Sequence, residues 1–133
     1  MHHCQTQVFR CMDWRISDDD YAKLCAQLGI DRHDTISVAG AGKDLVSSQP
    51  GESDFLLKQI GIARDKHGIN EIIILFHDDC GAYGIADLAA EEAAQRADAD
   101  KIRSLLAVKF PALLLRCYLI KDTPTGQFTV DQF

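Results

Sequence analysis

The stretch "NEIIILFHDDCG", residues 70–81, decides the fold. Its first half is apolar at every position from Ile72 to Phe76, whereas a strand with one face in water alternates apolar and polar residues. An uninterrupted apolar run of this length is typical of a parallel strand that is covered on both faces. We therefore predict a buried strand over residues 70–76, with the polar run "HDDCG" following its carboxyl end.

Helical and extended patterns alternate on both sides of this strand. The expected strands lie over residues 6–12, 34–40, 70–76 and 112–120, with an edge strand over 127–133. The expected helices are one that is capped by Ser17 and Asp20 and ended by Gly29, one over 55–68, and one over 85–109 with a break near 97–100. This alternation predicts a single α/β domain over residues 1–133. We expect an open, mostly parallel sheet of four strands in the order 2-1-3-4, plus the edge strand, with helices on both faces.

Composition narrows the possible functions. The chain of 133 residues has a net charge of −6 and no Lys/Arg cluster, which argues against a nucleic-acid partner. It has neither a signal-peptide core nor an apolar run that could cross a bilayer, so we expect a cytoplasmic protein without a membrane partner. Five cysteines are an odd number for a disulfide framework, and they are better interpreted as core residues, metal ligands or nucleophiles.

Two short motifs carry reactive side chains at the ends of predicted strands. In extended chain Cys11, Asp13 and Arg15 would share one face, with Met12 and Trp14 on the other. His77 and Cys80 follow the third strand, and carboxyl ends of parallel strands meet at one edge of the sheet. Two cysteines and a histidine suit tetrahedral Zn²⁺ with one coordination position left open.

The pair "CMDWR" and "HDDCG" resembles the signature of the β-class carbonic anhydrases, C-x-D-x-R followed by H-x-x-C-G. "ISVAGAG" and "YLIKDTPTGQFTV" are similar to that family's second strand and closing hairpin. The resemblance implies Zn²⁺ held by Cys11, His77 and Cys80, with Asp13 and Arg15 as a catalytic dyad beside the open position. It implies that a zinc-bound hydroxide converts carbon dioxide to bicarbonate reversibly, and that Asp13 becomes a fourth ligand in a closed state. It also implies a homodimer or larger homo-oligomer.

The chain departs from the family pattern around the pocket. Trp14 stands where the family usually has a small residue, and Ser37 and Val38 stand where it usually has Arg-Asn. Two alternatives therefore stay open. The same zinc hydroxide could act on a related small molecule, carbonyl sulfide or carbon disulfide, or the domain could be a non-catalytic, zinc-stabilised binding module.

The remaining cysteines and histidines are assigned structural roles. Cys25 and Cys117 fall at core positions of a helix and a strand, and His67 suits the negative end of a helix dipole. The run "MHHC" at residues 1–4 is interpreted as a frayed terminus rather than a metal site. Asp79 is expected to support the metal loop without taking part in the chemistry.

Overall fold

A computed structural model describes residues 2–133 as a five-stranded sheet with helices on both faces. The strand order is β2-β1-β3-β4-β5, with β1 to β4 parallel and β5 antiparallel to β4. The elements are β1 (Thr6–Arg10), α1 (Asp18–Gln27), β2 (His33–Ser37), a 3₁₀ turn (Lys43–Val46), α2 (Glu52–His67), β3 (Glu71–His77), α3 (Leu88–Lys109), β4 (Leu114–Lys121) and β5 (Thr129–Gln132). The predicted fold class and strand order are confirmed.

The central strand β3 explains why helices lie on both faces. Ile72, Ile74 and Phe76 point into a core with α2 and α3, while Ile73 and Leu75 point into a second core with α1. All five side chains are at most 1% exposed. Burying both faces of one strand removes a large apolar area from water, which is the main favourable contribution to folding.

Several predicted boundaries are wrong. The strand β1 ends at Arg10 rather than at residue 12, β2 ends at Ser37 rather than at residue 40, and α2 begins at Glu52 rather than at residue 55. After β1 the chain turns at residues 13–16, where the N–H of Ile16 donates to the carbonyl oxygen of Asp13. Helix α3 is continuous through residues 97–100, where we expected a break. The helix continues because Ala99 is buried in the core and the carboxylate of Asp98 accepts a hydrogen bond of 2.8 Å from the hydroxyl of Tyr83. Tertiary contacts thus override the weak helix propensity of Asp.

The sheet brings the two motifs to one edge. Strands β1 and β3 are parallel neighbours, with Arg10 beside Leu75, so both chains leave the sheet at their carboxyl ends side by side. Cys11 follows β1 directly, and His77 is the last residue of β3. Within residues 2–133, no helix is long and apolar enough to cross a membrane.

Candidate metal centre

Three side chains with metal-binding atoms converge where β1 and β3 end. Ligand atoms of Cys11, His77 and Cys80 all lie within 4.8 Å of one another. Each residue is buried, with 7%, 1% and 3% exposure respectively. The two sulfur atoms are 4.0 Å apart, and the backbone N–H of Gly40 donates to the sulfur of Cys11 at 3.4 Å.

The imidazole of His77 has one nitrogen engaged and one without a partner. Its Nδ1 lies 2.7 Å from the carbonyl oxygen of Asp78, which can only accept, so Nδ1 carries the proton. Nε2 is therefore a lone-pair acceptor. It is fully buried and has no hydrogen-bond partner in the part of the chain that the structure describes. A buried orphaned nitrogen is costly, and a metal ion would satisfy it.

The donor set fits Zn²⁺ in both distance and charge. Two thiolates on a tetrahedral zinc ion lie about 3.8 Å apart, close to the separation of 4.0 Å between the two sulfurs here. Without a metal the two sulfurs are close enough to share one proton, and this hydrogen bond lowers the pKa of Cys11 and raises that of Cys80. A divalent cation would replace that proton and let both sulfurs ionise.

Asp13 is held by Arg15 next to this group. The chain turns at Asp13, whose Oδ1 accepts from the backbone N–H of Arg15 at 3.0 Å and from its Nε at 3.1 Å, while Oδ2 accepts from Nη2 at 2.8 Å. Oδ2 is also 3.7 Å from Nε2 of His77. The guanidinium holds the pKa of Asp13 down at about 2, so this carboxyl is an anion at neutral pH.

Arg15 also connects the "CMDWR" motif, to which it belongs, to the "HDDCG" motif. Its Nη1 donates to Oδ2 of Asp79 at 2.7 Å, and its Nη2 donates to the carbonyl oxygen of Asp79 at 2.7 Å. Asp79 has a left-handed backbone with φ of +52°, which directs that carbonyl toward the arginine side. One guanidinium therefore fixes both Asp13 and the loop between His77 and Cys80.

Two buried polar side chains of α3 support the metal loop from below. Glu91 is 1% exposed, and its two oxygens accept from the backbone N–H groups of Asp79 at 2.7 Å and Cys80 at 2.9 Å. Gln95, one helical turn later, donates to the carbonyl oxygen of His77 at 2.8 Å. Burial raises the pKa of Glu91, although the two N–H donors oppose that effect. The sequence reasoning did not find these two residues.

Trp14 lies at the mouth of the site, not behind it. We expected strand alternation to place it on the face opposite Asp13 and Arg15, but the extended conformation has ended before that position. Trp14 is 86% exposed and Met12 is 66% exposed. Both line the same depression as Cys11, Asp13 and Arg15, together with Ala39 and Ala82. The approach to the centre therefore combines apolar side chains with the charged groups of Asp13, Arg15 and Asp79.

Residues 1–113, most of the chain, match the family model described as "Putative carbonic anhydrase". The chain belongs to this family. Over 129 residues it is 30% identical to an uncharacterized protein of Rickettsia conorii (strain ATCC VR-613 / Malish 7), covering 90% of this chain and 69% of the relative. It is 33% identical to an uncharacterized protein of Rickettsia bellii (strain RML369-C), again over 129 residues, covering 90% and 78%.

Carbonic anhydrases of known structure share the fold. The carbonic anhydrase from Streptococcus mutans superposes with a TM-score of 0.63 at 18% identity, covering 99% of this chain and 86% of that one. The β-carbonic anhydrase CcaA superposes with a TM-score of 0.58 at 16% identity, covering 100% and 78%. The resemblance that the two motifs indicated is confirmed at the level of family and fold.

In this chain the geometry brings together all five residues that the sequence singled out. Cys11, His77 and Cys80 form one compact group of possible metal ligands, and Asp13 and Arg15 form an ion pair beside it. Asp13 does not belong to that compact group. The roles of the five residues as ligands and dyad stay predictions. Cys25 and Cys117 are core residues, 2% and 0% exposed, as expected.

Proposed function

We propose that this chain is a zinc-dependent enzyme that hydrates carbon dioxide to bicarbonate reversibly. One observation carries the proposal: a buried group of two cysteines and one histidine, with the Nε2 of His77 unpartnered, lies directly beside a carboxylate that an arginine holds. Membership of the carbonic anhydrase family supports the same reaction and the same substrate pair.

In this proposal Cys11, His77 and Cys80 hold the metal. Their charges suit it, because two thiolates and a neutral imidazole balance a divalent cation and leave no net charge buried. When bound, Zn²⁺ would act as a Lewis acid that makes water a nucleophile near or somewhat above neutral pH.

Asp13 is proposed to orient that water. A carboxyl whose pKa is about 2 is an acceptor only, so it takes a hydrogen bond from the water and cannot donate one. Arg15 holds both carboxylate oxygens, which keeps Asp13 from approaching as a fourth ligand. Release of that pair would permit the closed state.

The mouth of the site favours a small apolar substrate. Met12, Trp14, Ala39 and Ala82 form the apolar part of its lining, beside the charged Asp13, Arg15 and Asp79. Carbon dioxide fits this description. The same apolar lining also favours a second candidate substrate class, carbonyl sulfide or carbon disulfide, which presents the same electrophilic carbon to the same nucleophile.

The test is stopped-flow hydration of carbon dioxide between pH 6 and 9, on protein whose zinc content has been measured. We expect turnover that rises with pH and needs zinc. Fully zinc-loaded protein that is inactive at pH 9 would contradict the proposal. If the same protein hydrolyses carbonyl sulfide or carbon disulfide, the second candidate holds. If it acts on neither, a non-catalytic, zinc-stabilised binding domain is the remaining function.

The variant Arg15→Ala tests the dyad. We expect it to retain zinc and to lose about 10- to 100-fold in kcat/KM, because Asp13, once released from Arg15, is free to close the open metal position. The matched control is Arg32→Ala, since the Arg32 side chain is 88% exposed and pairs only loosely, at 3.9 Å, with Asp31. Turnover that is unchanged in Arg15→Ala would show that the ion pair has no part in the reaction.

Two further properties are proposed, and only the second rests on the family resemblance. We expect a cytoplasmic protein, and a homodimer or larger homo-oligomer. Light scattering on the purified zinc protein checks the second, and a mass equal to one chain at micromolar concentration would contradict it.

A further inference from the structure

A second group of metal-binding side chains lies at the opposite edge of the sheet. Cys4 comes two residues before β1, Asp34 is near the start of β2, and His67 is the last residue of α2. Ligand atoms of these three residues lie within 4.8 Å of one another. All three are partly buried, so the group is neither loose surface charge nor closed to solvent.

Backbone and side-chain contacts hold this group together. The N–H of Cys4 donates to the carbonyl oxygen of His67 at 3.1 Å, which fixes the N-terminal segment against the end of α2. The Nδ1 of His67 lies 2.7 Å from Oδ2 and 2.9 Å from Oδ1 of Asp34. Cys4 is therefore held in place, although the sequence suggested a frayed terminus over residues 1–4, of which Met1 lies outside the described residues. His67 does more than face a helix dipole.

We propose that Cys4, Asp34 and His67 form a second zinc site, separate from the candidate metal centre. Thiolate sulfur, carboxylate oxygen and imidazole nitrogen are the three donor types that Zn²⁺ takes in proteins. One thiolate and one carboxylate neutralise the ion, as two thiolates do at the first site.

His3 is the residue that we expect to complete the site. A Cβ added at Gly68 would lie 3.3 Å from the Nδ1 of His3, so this imidazole packs over the backbone immediately after His67. The recess around Cys4, Asp34 and His67 is also lined by His2, His3, Arg32 and His33. A second imidazole would give the four ligands of a structural zinc site.

The two sites are independent in space. Six residues of largely extended chain separate Cys4 from Cys11, and the seven steps between the two cysteines correspond to roughly 23 Å along the direction of β1. A metal at the second site would tie the N-terminal segment, β2 and α2 to one another, and we expect it to stabilise the fold rather than to take part in the hydration reaction. The proposal does not depend on the proposed function.

The test is zinc titration of tag-free protein against a chromophoric chelator. We expect the wild type to bind two equivalents, and Cys4→Ser and Asp34→Asn to bind one. The control for Asp34→Asn is Asp31→Asn, whose side chain is 90% exposed and which should keep two equivalents. Circular dichroism establishes that each variant is folded.

Two further comparisons keep the result unambiguous. His3→Ala should weaken the second equivalent while His2→Ala leaves it unchanged. Zinc beyond the first equivalent should raise the melting temperature of the wild type and not that of Asp34→Asn. A wild type that binds one equivalent, or Cys4→Ser and Asp34→Asn proteins that both keep two, would overturn the second site. A wild-type protein that binds both equivalents of zinc but does not hydrate carbon dioxide would instead contradict the proposed function.

Discussion

The buried carboxylate of Glu91 is the side chain outside the ligand set on which the metal loop should depend most. We predict that Glu91→Gln destabilises the protein and weakens its hold on zinc. The amide keeps one acceptor oxygen for the two N–H groups of Asp79 and Cys80, and turns its own N–H₂ toward the other. One buried N–H is then left without a partner.

The magnitude follows from the contacts. A lost hydrogen bond to a charged group costs about 1.5–3 kcal/mol, and a neutral amide costs less to bury than a carboxylate, which offsets part of this. We expect a net loss of about 2 kcal/mol, or roughly 6–8 °C in melting temperature for a chain of this length. Zinc affinity should fall about 10- to 100-fold, because the displaced loop carries Cys80.

The assay is thermal unfolding by circular dichroism, together with zinc competition, on wild type, Glu91→Gln and Glu92→Gln. Glu92 is the matched control on the same helix, since its Oε1 accepts no hydrogen bond among the described residues and forms only long ion pairs, 3.7 Å to Arg96 and 3.5 Å to Lys121. Such pairs contribute about 0–1 kcal/mol. If Glu91→Gln behaves like Glu92→Gln in both measurements, Glu91 does not support the loop.

Three other predictions concern the fold. Gly42→Ala should cost about 1–3 kcal/mol in urea unfolding, because a Cβ there would lie 3.0 Å from Ile74 and Ile102; unchanged stability would show that this contact relaxes freely. Ser17→Ala should cost about 1 kcal/mol, because the Ser17 hydroxyl accepts from the N–H of Asp20 at the start of α1; an equally stable variant would mean that the cap is dispensable. Burial raises the pKa of Cys117 from 9.0 to about 11 in the folded protein. Between pH 9 and 11 the thiol therefore ionises in the unfolded chain but not in the folded one, and the free energy of unfolding falls as the pH rises. Cys117→Ala should reduce that loss by about 2–3 kcal/mol, and parallel pH curves for the two proteins would contradict the assignment.

Short-range patterns were enough to predict most of the fold. The unbroken apolar run of β3 indicated a strand covered on both faces, and the structure places helices on both faces. The spacing of His77 and Cys80 after that strand, with Cys11 after a neighbouring one, was enough to bring the three side chains together in space. These features depend on local periodicity and on the rule that parallel strands end at one edge.

The parts that were missed depend on contacts that no local pattern reveals. Glu91 and Gln95 are four residues apart on a charged helix. Polar residues at that spacing are equally typical of a helix face that points into solvent. Trp14 was misplaced because the Asp13 side chain accepts from the N–H of Arg15, two residues later, and turns the chain out of the strand. Asp is typical of such turns, so this signal was present in the sequence.

The exposed position of Trp14 gives the protein a built-in optical probe. It is the single tryptophan of the chain, so the indole emission of the unmodified protein originates entirely from the mouth of the candidate site. Because the ring is already 86% exposed, unfolding should change the emission wavelength little, and fluorescence will report global denaturation poorly. For the same reason, a change in emission on adding zinc, substrate analogue or a partner reports on the mouth itself, free of background from the core.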